Sequence, residues 1–184
     1  RMWTFDEEEA VDRGFFRRRL AAALAVRGSE SDHAASAARR LVYSEADGLP
    51  GLVVDRYADY LVCQFLSAGA EAWKCEVVSL LQECVSVAGI YERSDGAGRE
   101  KEGLPVCTGR LAGSEPPDLI EIQEGPCRFL IDVRRGHKTG FYLDQRENRA
   151  HVAACSAGRE VLNAYAYTGG FGVAALVSGA AQGL

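Results

Sequence analysis

Two polar motifs near the end of the chain are of residue types and spacings that could do chemistry. The first, Gly170-x-Gly172-x-x-Ala175, fits the pattern G-x-G-x-x-G/A and lies between a strand-like and a helix-like apolar run. Glycines let a backbone approach a ligand closely, and a helix N-terminus offers free N–H groups and partial positive charge. This geometry suits a nicotinamide dinucleotide or S-adenosylmethionine, whose carboxylate could use those N–H groups. A tight structural turn without a ligand is the remaining interpretation.

The second motif, residues 138–149 (KTGFYLDQRENR), combines aromatic and charged side chains. Between Pro126 and His151 there are six Lys or Arg residues and three Asp or Glu residues, which gives a local charge of +3 in a chain of net charge −5. The pattern predicts that this aromatic and charged segment lies in front of the glycine turn and borders a ligand site there. A capped surface helix with ordinary i, i+4 charge pairs is the alternative.

Composition limits the function classes. With 47% apolar and 26% charged residues the chain is globular, and its mild acidity argues against extensive nucleic-acid coating outside a local basic patch. It has no apolar run of the roughly 18–20 residues that a membrane span needs, and we expect no secretory signal. We therefore expect no membrane partner. Neither C-x₂-C nor histidine ligand spacing occurs, so we expect no metal site and six reduced, buried thiols: Cys63, Cys75, Cys84, Cys107, Cys127 and Cys155.

The N-terminal part predicts a helix and a central α+β unit. Asp12 can cap a helix whose apolar stripe is Phe16, Leu20 and Leu24, beside three arginines (17–19) that could meet RNA phosphate or solvent. A small and polar linker follows at residues 28–38. The central pattern, which we expect to end at residues 114–117 (SEPP), is strand, strand, helix, strand, strand: 52–57, 60–66, 71–87, near 90–91 and near 104–111.

The remainder predicts the beginning of a doubly wound α/β sheet. A second hairpin (119–123 and 128–133) precedes a helix that Asp144 opens, with Glu147 completing a capping box. A buried strand at 161–165 then leads through the glycine turn into a helix at 173–177. Because a lone parallel strand cannot pair or bury both faces, we expect more chain to follow residue 184.

Three co-linear segments carry a family resemblance: 47–57 (DGLPGLVVDRY), 138–149 and 161–171 (VLNAYAYTGGF). In order and spacing they resemble the class I methyltransferases that modify large-subunit ribosomal RNA. The resemblance implies the end of an RNA-binding PUA domain and a linker helix at 1–37. It further implies a central α+β domain at 38–115, and the truncated start of a Rossmann-like α/β methyltransferase domain at 116–184.

The resemblance also implies S-adenosylmethionine as the cofactor. Phe141 and Tyr142 would pack near its methionine or adenosyl part, and Asp144 and Arg146 would meet its amino and carboxylate groups. Asn163 stands where many such enzymes end their first strand with an acid. The backbone would approach the cofactor most closely at Thr168, Gly169 and Gly170.

The implied activity is methylation of ribosomal RNA, at C5 of cytosine in 23S RNA. That reaction needs a cysteine nucleophile, which we expect beyond residue 184, so this chain alone should have no catalytic residue and no activity. A nicotinamide dehydrogenase and a non-enzymatic RNA-binding module are the alternatives. The expected partner is ribosomal RNA, a homodimer is left open, and the expected location is the cytoplasm, or an organellar stroma or matrix.

Overall fold

The structure is a computed structural model that describes residues 2–27, 38–96 and 98–183. The linker predicted at 28–38 lies outside these ranges, apart from Ala38. Helix α1 (Arg13–Val26) begins as predicted at Asp12, whose carboxylate accepts a hydrogen bond from the Phe15 N–H at 2.8 Å. Phe16 and Leu20 are buried, whereas Leu24 is only partly buried. The arginines at 17–19 form ion pairs with Glu83 and Glu9 across neighbouring surfaces.

A five-stranded sheet forms the centre of the molecule. Its strands, in spatial as well as chain order, are β1 (Arg39–Tyr43), β2 (Leu52–Tyr57), β3 (Tyr60–Phe65), β4 (Gly89–Ser94) and β5 (Cys107–Gly113). Neighbours are antiparallel except β3 and β4, which are parallel and are joined through α2 (Ala68–Ala72) and α3 (Lys74–Cys84). A short helix α4 (Gly98–Lys101) precedes β5.

The sequence-based pattern of four strands and one helix is therefore incomplete. It omitted β1, because two arginines open this strand and leave an apolar run of only three residues, 41–43. The predicted helix at 71–87 is two helices that meet at Trp73, whose ring packs 4.7 Å from that of Phe16. The bend brings α3 against α1, on the helix-covered face of the sheet.

The two faces of the central sheet have different partners. The helix-covered face carries Val54, Leu61 and Phe65 into a core with α1, α2 and α3. Strand alternation places Asp55, Tyr57 and Val62 on the opposite face. This opposite face packs against the segment that follows residue 117, as the shared core described next shows.

The second hairpin forms as predicted, with β6 (Ile120–Glu124) and β7 (Cys127–Ile131) around Gly125–Pro126. Its inward residues Ile122 and Phe129 join Tyr57 and Val62 in one hydrophobic cluster. The hydrophobic core therefore continues across the domain boundary predicted at residues 115–116, and that division stays a prediction.

The C-terminal elements differ from the prediction in extent: the helix predicted at 173–177 begins three residues earlier, whereas the strand predicted at 161–165 is shorter. Helix α5 covers Arg146–Ala154 and α6 covers Gly170–Val177, while β8 (Glu160–Val161) pairs in parallel with β9 (Gln182–Gly183). The strand predicted at 161–165 is wrong beyond Val161. Leu162 and Tyr165 are exposed, and Tyr165 has a left-handed φ of 55°, which is incompatible with a continuing strand.

The predicted capping box at Asp144 and Glu147 is also wrong. A 3₁₀ turn at Leu143–Gln145 leads into α5, and no side chain caps that helix. The Asp144 carboxylate instead accepts hydrogen bonds from Lys138. Within the described ranges no helix is long and apolar enough to cross a membrane, and no three His, Cys, Asp or Glu side chains converge as metal ligands would.

Candidate cofactor-binding site

A cavity of about 460 Å³ lies between the segment 137–145, α5 and the loop that enters α6. This volume is within the range of small-molecule sites. Six of the eight predicted site residues line it: Phe141, Tyr142, Asp144, Asn163, Thr168 and Gly170. The other two do not: Gly169 lies between two lining residues as the N-cap of α6, and Arg146 faces elsewhere. The site prediction omitted several lining residues: His137, Lys138, Arg149, Tyr165 and Tyr167.

Glycines allow the start of α6 to approach its neighbours. Gly169 has a φ of +76°, in the left-handed region that favours glycine. A Cβ atom on Gly170 would lie 3.4 Å from Arg149 and 3.6 Å from Phe141, and one on Gly172 would lie 2.8 Å from Asn163 Nδ2. The first N–H groups of a helix have no intrahelical acceptor, so α6 offers donors and a positive dipole end at the cavity.

Three aromatic rings form one wall of the cavity. His137 and Tyr167 stack with centroids 4.0 Å apart and planes 12° apart, and the Tyr142 hydroxyl lies 3.1 Å from His137 Nδ1. The His137 backbone N–H donates to the Tyr167 hydroxyl at 2.8 Å. Tyr165 and Tyr167 both have left-handed φ angles, a conformation that costs free energy and is found often at functional sites. The wall offers flat, polarisable surface to a planar or cationic ligand.

Asp144 and Lys138 place opposite charges at the cavity mouth. Lys138 Nζ donates to both Asp144 carboxylate oxygens, at 2.9 and 3.0 Å, and lies 4.5 Å from the Tyr142 ring centroid. Partial burial raises the pKa of Asp144, but the hydrogen bond and charge of Lys138 outweigh burial, so the pKa is lowered overall. Asp144 is therefore ionised at neutral pH and can accept from an ammonium group.

Arg149 holds two of the cavity-lining residues in place. Its buried guanidinium donates to both Glu124 oxygens, at 2.6 and 2.7 Å, and to the Tyr142 carbonyl at 3.0 Å. The same group lies 4.5 Å from the centroid of the Phe141 ring. One side chain thus fixes the positions of Phe141 and Tyr142 relative to β6.

Arg146, which the resemblance placed at the cofactor, lines a second cavity of about 450 Å³ between the β6–β7 turn, α5 and α6. Its guanidinium bonds to Glu124 and to the Ala38 carbonyl. Arg149 lies one turn further along α5 and is the arginine that lines the predicted cavity. The sequence could not separate the two arginines, because i and i+3 are neighbours on a helix.

The expectation that all six cysteines are buried is wrong. Cys63 and Cys127 are buried, and burial raises the pKa of both thiols. Cys107 is partly exposed. The other three are exposed because they lie at or near the ends of α3 and α5, outside the apolar stripes: Cys75, Cys84 and Cys155. None of the six lines the candidate cavity, and all six are unpaired.

Comparison with known proteins points to the same family as the three co-linear sequence motifs. A family model for S-adenosylmethionine-dependent methyltransferases matches residues 99–184. The ribosomal RNA large subunit methyltransferase I of Shewanella amazonensis is 51% identical over 182 residues, which are 99% of this chain and 46% of that protein. The resemblance predicted from the three motifs is therefore confirmed.

Solved structures share the fold. A Streptococcus mutans protein assigned as an S-adenosylmethionine-dependent methyltransferase superposes with a TM-score of 0.82 at 24% identity, covering 96% of this chain and 45% of its own. Another assigned methyltransferase, solved with SAH, gives a TM-score of 0.83 at the same identity and coverage. The chain spans about half the length of these proteins. These matches give no support to the dehydrogenase or to the non-enzymatic module.

Proposed function

We propose that this chain is part of an S-adenosylmethionine-dependent methyltransferase acting on large-subunit ribosomal RNA, and that its cavity holds the cofactor. One observation carries the proposal. The cavity combines the aromatic wall, Asp144 and the glycine-bounded start of α6, all within the region matched by the methyltransferase family model. The 51% identity to a named ribosomal RNA methyltransferase supports the substrate class.

The residues present fit the cofactor. The free N–H groups at the start of α6 would hold its carboxylate, and the ionised Asp144 would accept from its amino group. Phe141 and Tyr142 would pack against its apolar and planar parts, and the faces of Tyr142 and Tyr167 would favour a cationic centre. When bound, the cofactor supplies an electrophilic methyl group on a sulfonium. The chain's own residues bind and orient it.

We propose cytosine C5 as the methyl acceptor. That carbon becomes reactive only after a thiolate has added to C6, so the reaction needs a cysteine next to the cofactor. None of the six cysteines lines the cavity, and burial raises the pKa of Cys63 and Cys127. We therefore expect the nucleophile in the part of the relatives' length that residues 1–184 do not cover.

Calorimetry with SAH on the full-length gene product that contains this chain tests the cofactor site. Gly169→Val forces a β-branched residue into a φ of +76°, and Asp144→Ala removes the acceptor for the amino group. Each should weaken binding by about tenfold or more. Glu121→Ala, on the exposed face of β6, is the matched control and should bind normally. Unchanged affinity in both site variants would contradict the assignment.

Methyl transfer tests the reaction. Tritiated S-adenosylmethionine and undermethylated large-subunit RNA are incubated with the full-length protein and, in parallel, with residues 1–184. We expect label only with the full-length protein, recovered as 5-methylcytidine in a nucleoside digest. Label on guanine would overturn the proposed target, and turnover by residues 1–184 would overturn the placement of the nucleophile.

A further inference from the structure

A fully buried carboxylate lies on the opposite face of the central sheet, away from the helices. Asp55, in β2, accepts hydrogen bonds from Arg40 Nε and Nη2 at 2.8 and 2.9 Å. A buried charge is costly unless it is paired and hydrogen-bonded. A second donor satisfies Asp55 from outside the sheet: Thr139 Oγ1 donates to Asp55 Oδ2 at 2.6 Å. The sheet is thus bonded directly to the segment that borders the cavity.

The contact continues as a directed chain of hydrogen bonds. The Phe141 backbone N–H donates to the Tyr57 hydroxyl at 3.1 Å, and that hydroxyl lies 2.8 Å from Thr139 Oγ1. Because Thr139 uses its hydrogen on Asp55, Tyr57 donates to Thr139. Burial, and secondarily the charge of Asp55, raise the pKa of Tyr57, so its phenol keeps the proton that this chain requires. Every member is buried, and Phe141 is also a wall of the cavity.

A second attachment holds the same segment from β4. The buried Arg93 donates to the Val133 carbonyl at 2.7 Å and to the Gly136 carbonyl at 3.1 Å. The segment from Val133 to Phe141 is therefore fixed at both ends by side chains of the central sheet. His137 and Lys138, which line the cavity, lie between the two attachments.

We propose that Asp55 and Tyr57 are positioning residues for the cofactor: through Thr139 they set the place of the cavity lip, residues 137–142, and thereby cofactor affinity. The inference rests on the proposed function and extends it to the central sheet. Neither side chain lines the cavity, so both act only through the lip. Methyl transfer itself should be unaffected once the cofactor is bound.

The test measures the dissociation constant of SAH for the full-length gene product and its variants. Thr139→Val keeps the side-chain shape but removes the hydroxyl, Tyr57→Phe removes the phenol oxygen, and Thr139→Ser restores the hydroxyl. Tyr91→Phe is the control. Tyr91 is buried on the same sheet face, in register with Val62, and its hydroxyl has no hydrogen bond within the described residues.

We expect Thr139→Val and Tyr57→Phe to raise the dissociation constant about fivefold to tenfold, as loss of a buried hydrogen bond would. Thr139→Ser and Tyr91→Phe should stay within about twofold of wild type, at a temperature where circular dichroism shows every variant folded.

In the methyl-transfer assay, Thr139→Val and Tyr57→Phe should raise the KM for S-adenosylmethionine and leave kcat unchanged. If the network were merely structural, Thr139→Val and Tyr57→Phe would lower the melting temperature but leave the dissociation constant for SAH and the KM for S-adenosylmethionine unchanged. That result would overturn the inference. A wild-type protein that does not bind SAH would overturn the proposed function and this inference with it.

Discussion

Arg149 shows how a single buried charge can support a binding site. Its ion pair with Glu124 is almost completely inaccessible to solvent, with side-chain exposures of 3% and 11%. Removing Arg149 leaves the nearly buried Glu124 with only the longer 3.4 Å contact to Arg146 Nε, and loss of one partner of a buried ion pair is costly. We predict that Arg149→Met lowers the free energy of unfolding by about 3–5 kcal/mol in urea denaturation.

The matched control is Arg128→Met. Arg128 pairs with Glu121 on the same hairpin at 3.5 Å, but with side-chain exposures of 74% and 56%. Exposed pairs contribute about 0–1 kcal/mol, so this variant should unfold close to wild type. Equal losses in the two variants would show that the buried pair has no special role.

Asp144 gives a prediction for pH. Its folded pKa is lowered, because Lys138 outweighs the opposing effect of burial. A carboxyl with a depressed folded pKa contributes stability above its unfolded pKa, and that stability is lost as the pH falls through the folded pKa. Lys138→Met removes the charge that lowers this pKa, so it should raise the pH midpoint of the Asp144 carboxyl titration measured by NMR. A midpoint that stays the same or falls would contradict the ion pair.

At the scale of elements, the lip depends on a crowded glycine. A Cβ atom on Gly136 would lie 2.5 Å from the Asp132 carbonyl oxygen and 2.6 Å from that of Gly140, both rigid backbone atoms. We predict that Gly136→Ala destabilises the protein by about 1–3 kcal/mol and weakens SAH binding, because the lip must move. Gly98→Ala should be nearly neutral in melting temperature and affinity, because no atom of the described residues would lie within 4 Å of the added Cβ and the φ of Gly98 is not left-handed. If both variants melted and bound like wild type, the lip would not need its present position.

Elements with local signals could be predicted from the sequence. Both hairpins have apolar runs joined by short turns, and Asp12 caps α1 directly. Strand β1 could not be predicted, because it opens on two arginines, and the partner that stabilises Arg40 in the sheet is Asp55, 15 positions along the chain. The predicted strand after Val161 failed for the reverse reason: apolar composition favours a strand, but within the described residues only β9 pairs with it.

The candidate site was predictable to a similar degree. Co-linear motifs located Phe141, Asp144 and Gly170, because the segments that line the cavity are short and dense in polar groups. The link between Asp55 and Thr139 was not predictable, since the two residues are 84 positions apart and each has an ordinary local explanation. The one signal in the sequence was Asp55 itself, a charged residue at a strand position that alternates with core residues.

At the scale of the whole molecule, stability should be uneven. Strands β2, β3 and β4 at the middle of the five-stranded sheet are mostly buried on both faces. Strands β8 and β9 are two residues each and are followed or preceded by exposed chain. We predict that, in residues 1–184, the amides of Val54, Leu61 and Ile90 exchange slowest with deuterium and those of β8 and β9 exchange fastest. Strong protection of Val161 in a monomeric sample would contradict this.

The bonds between the lip and the central sheet also bear on biosynthesis. The sheet residues that hold the segment from Val133 to Phe141 precede their partners in the chain by 40 to 84 positions in these contacts: Asp55, Tyr57 and Arg93. A ribosome releases the N-terminal residues first, so the sheet can fold before the lip has emerged. The lip would then close onto a surface that already exists, and Arg149 and Tyr167 would add their contacts to it afterwards. Translation would thus build the support of the cofactor site before the site itself.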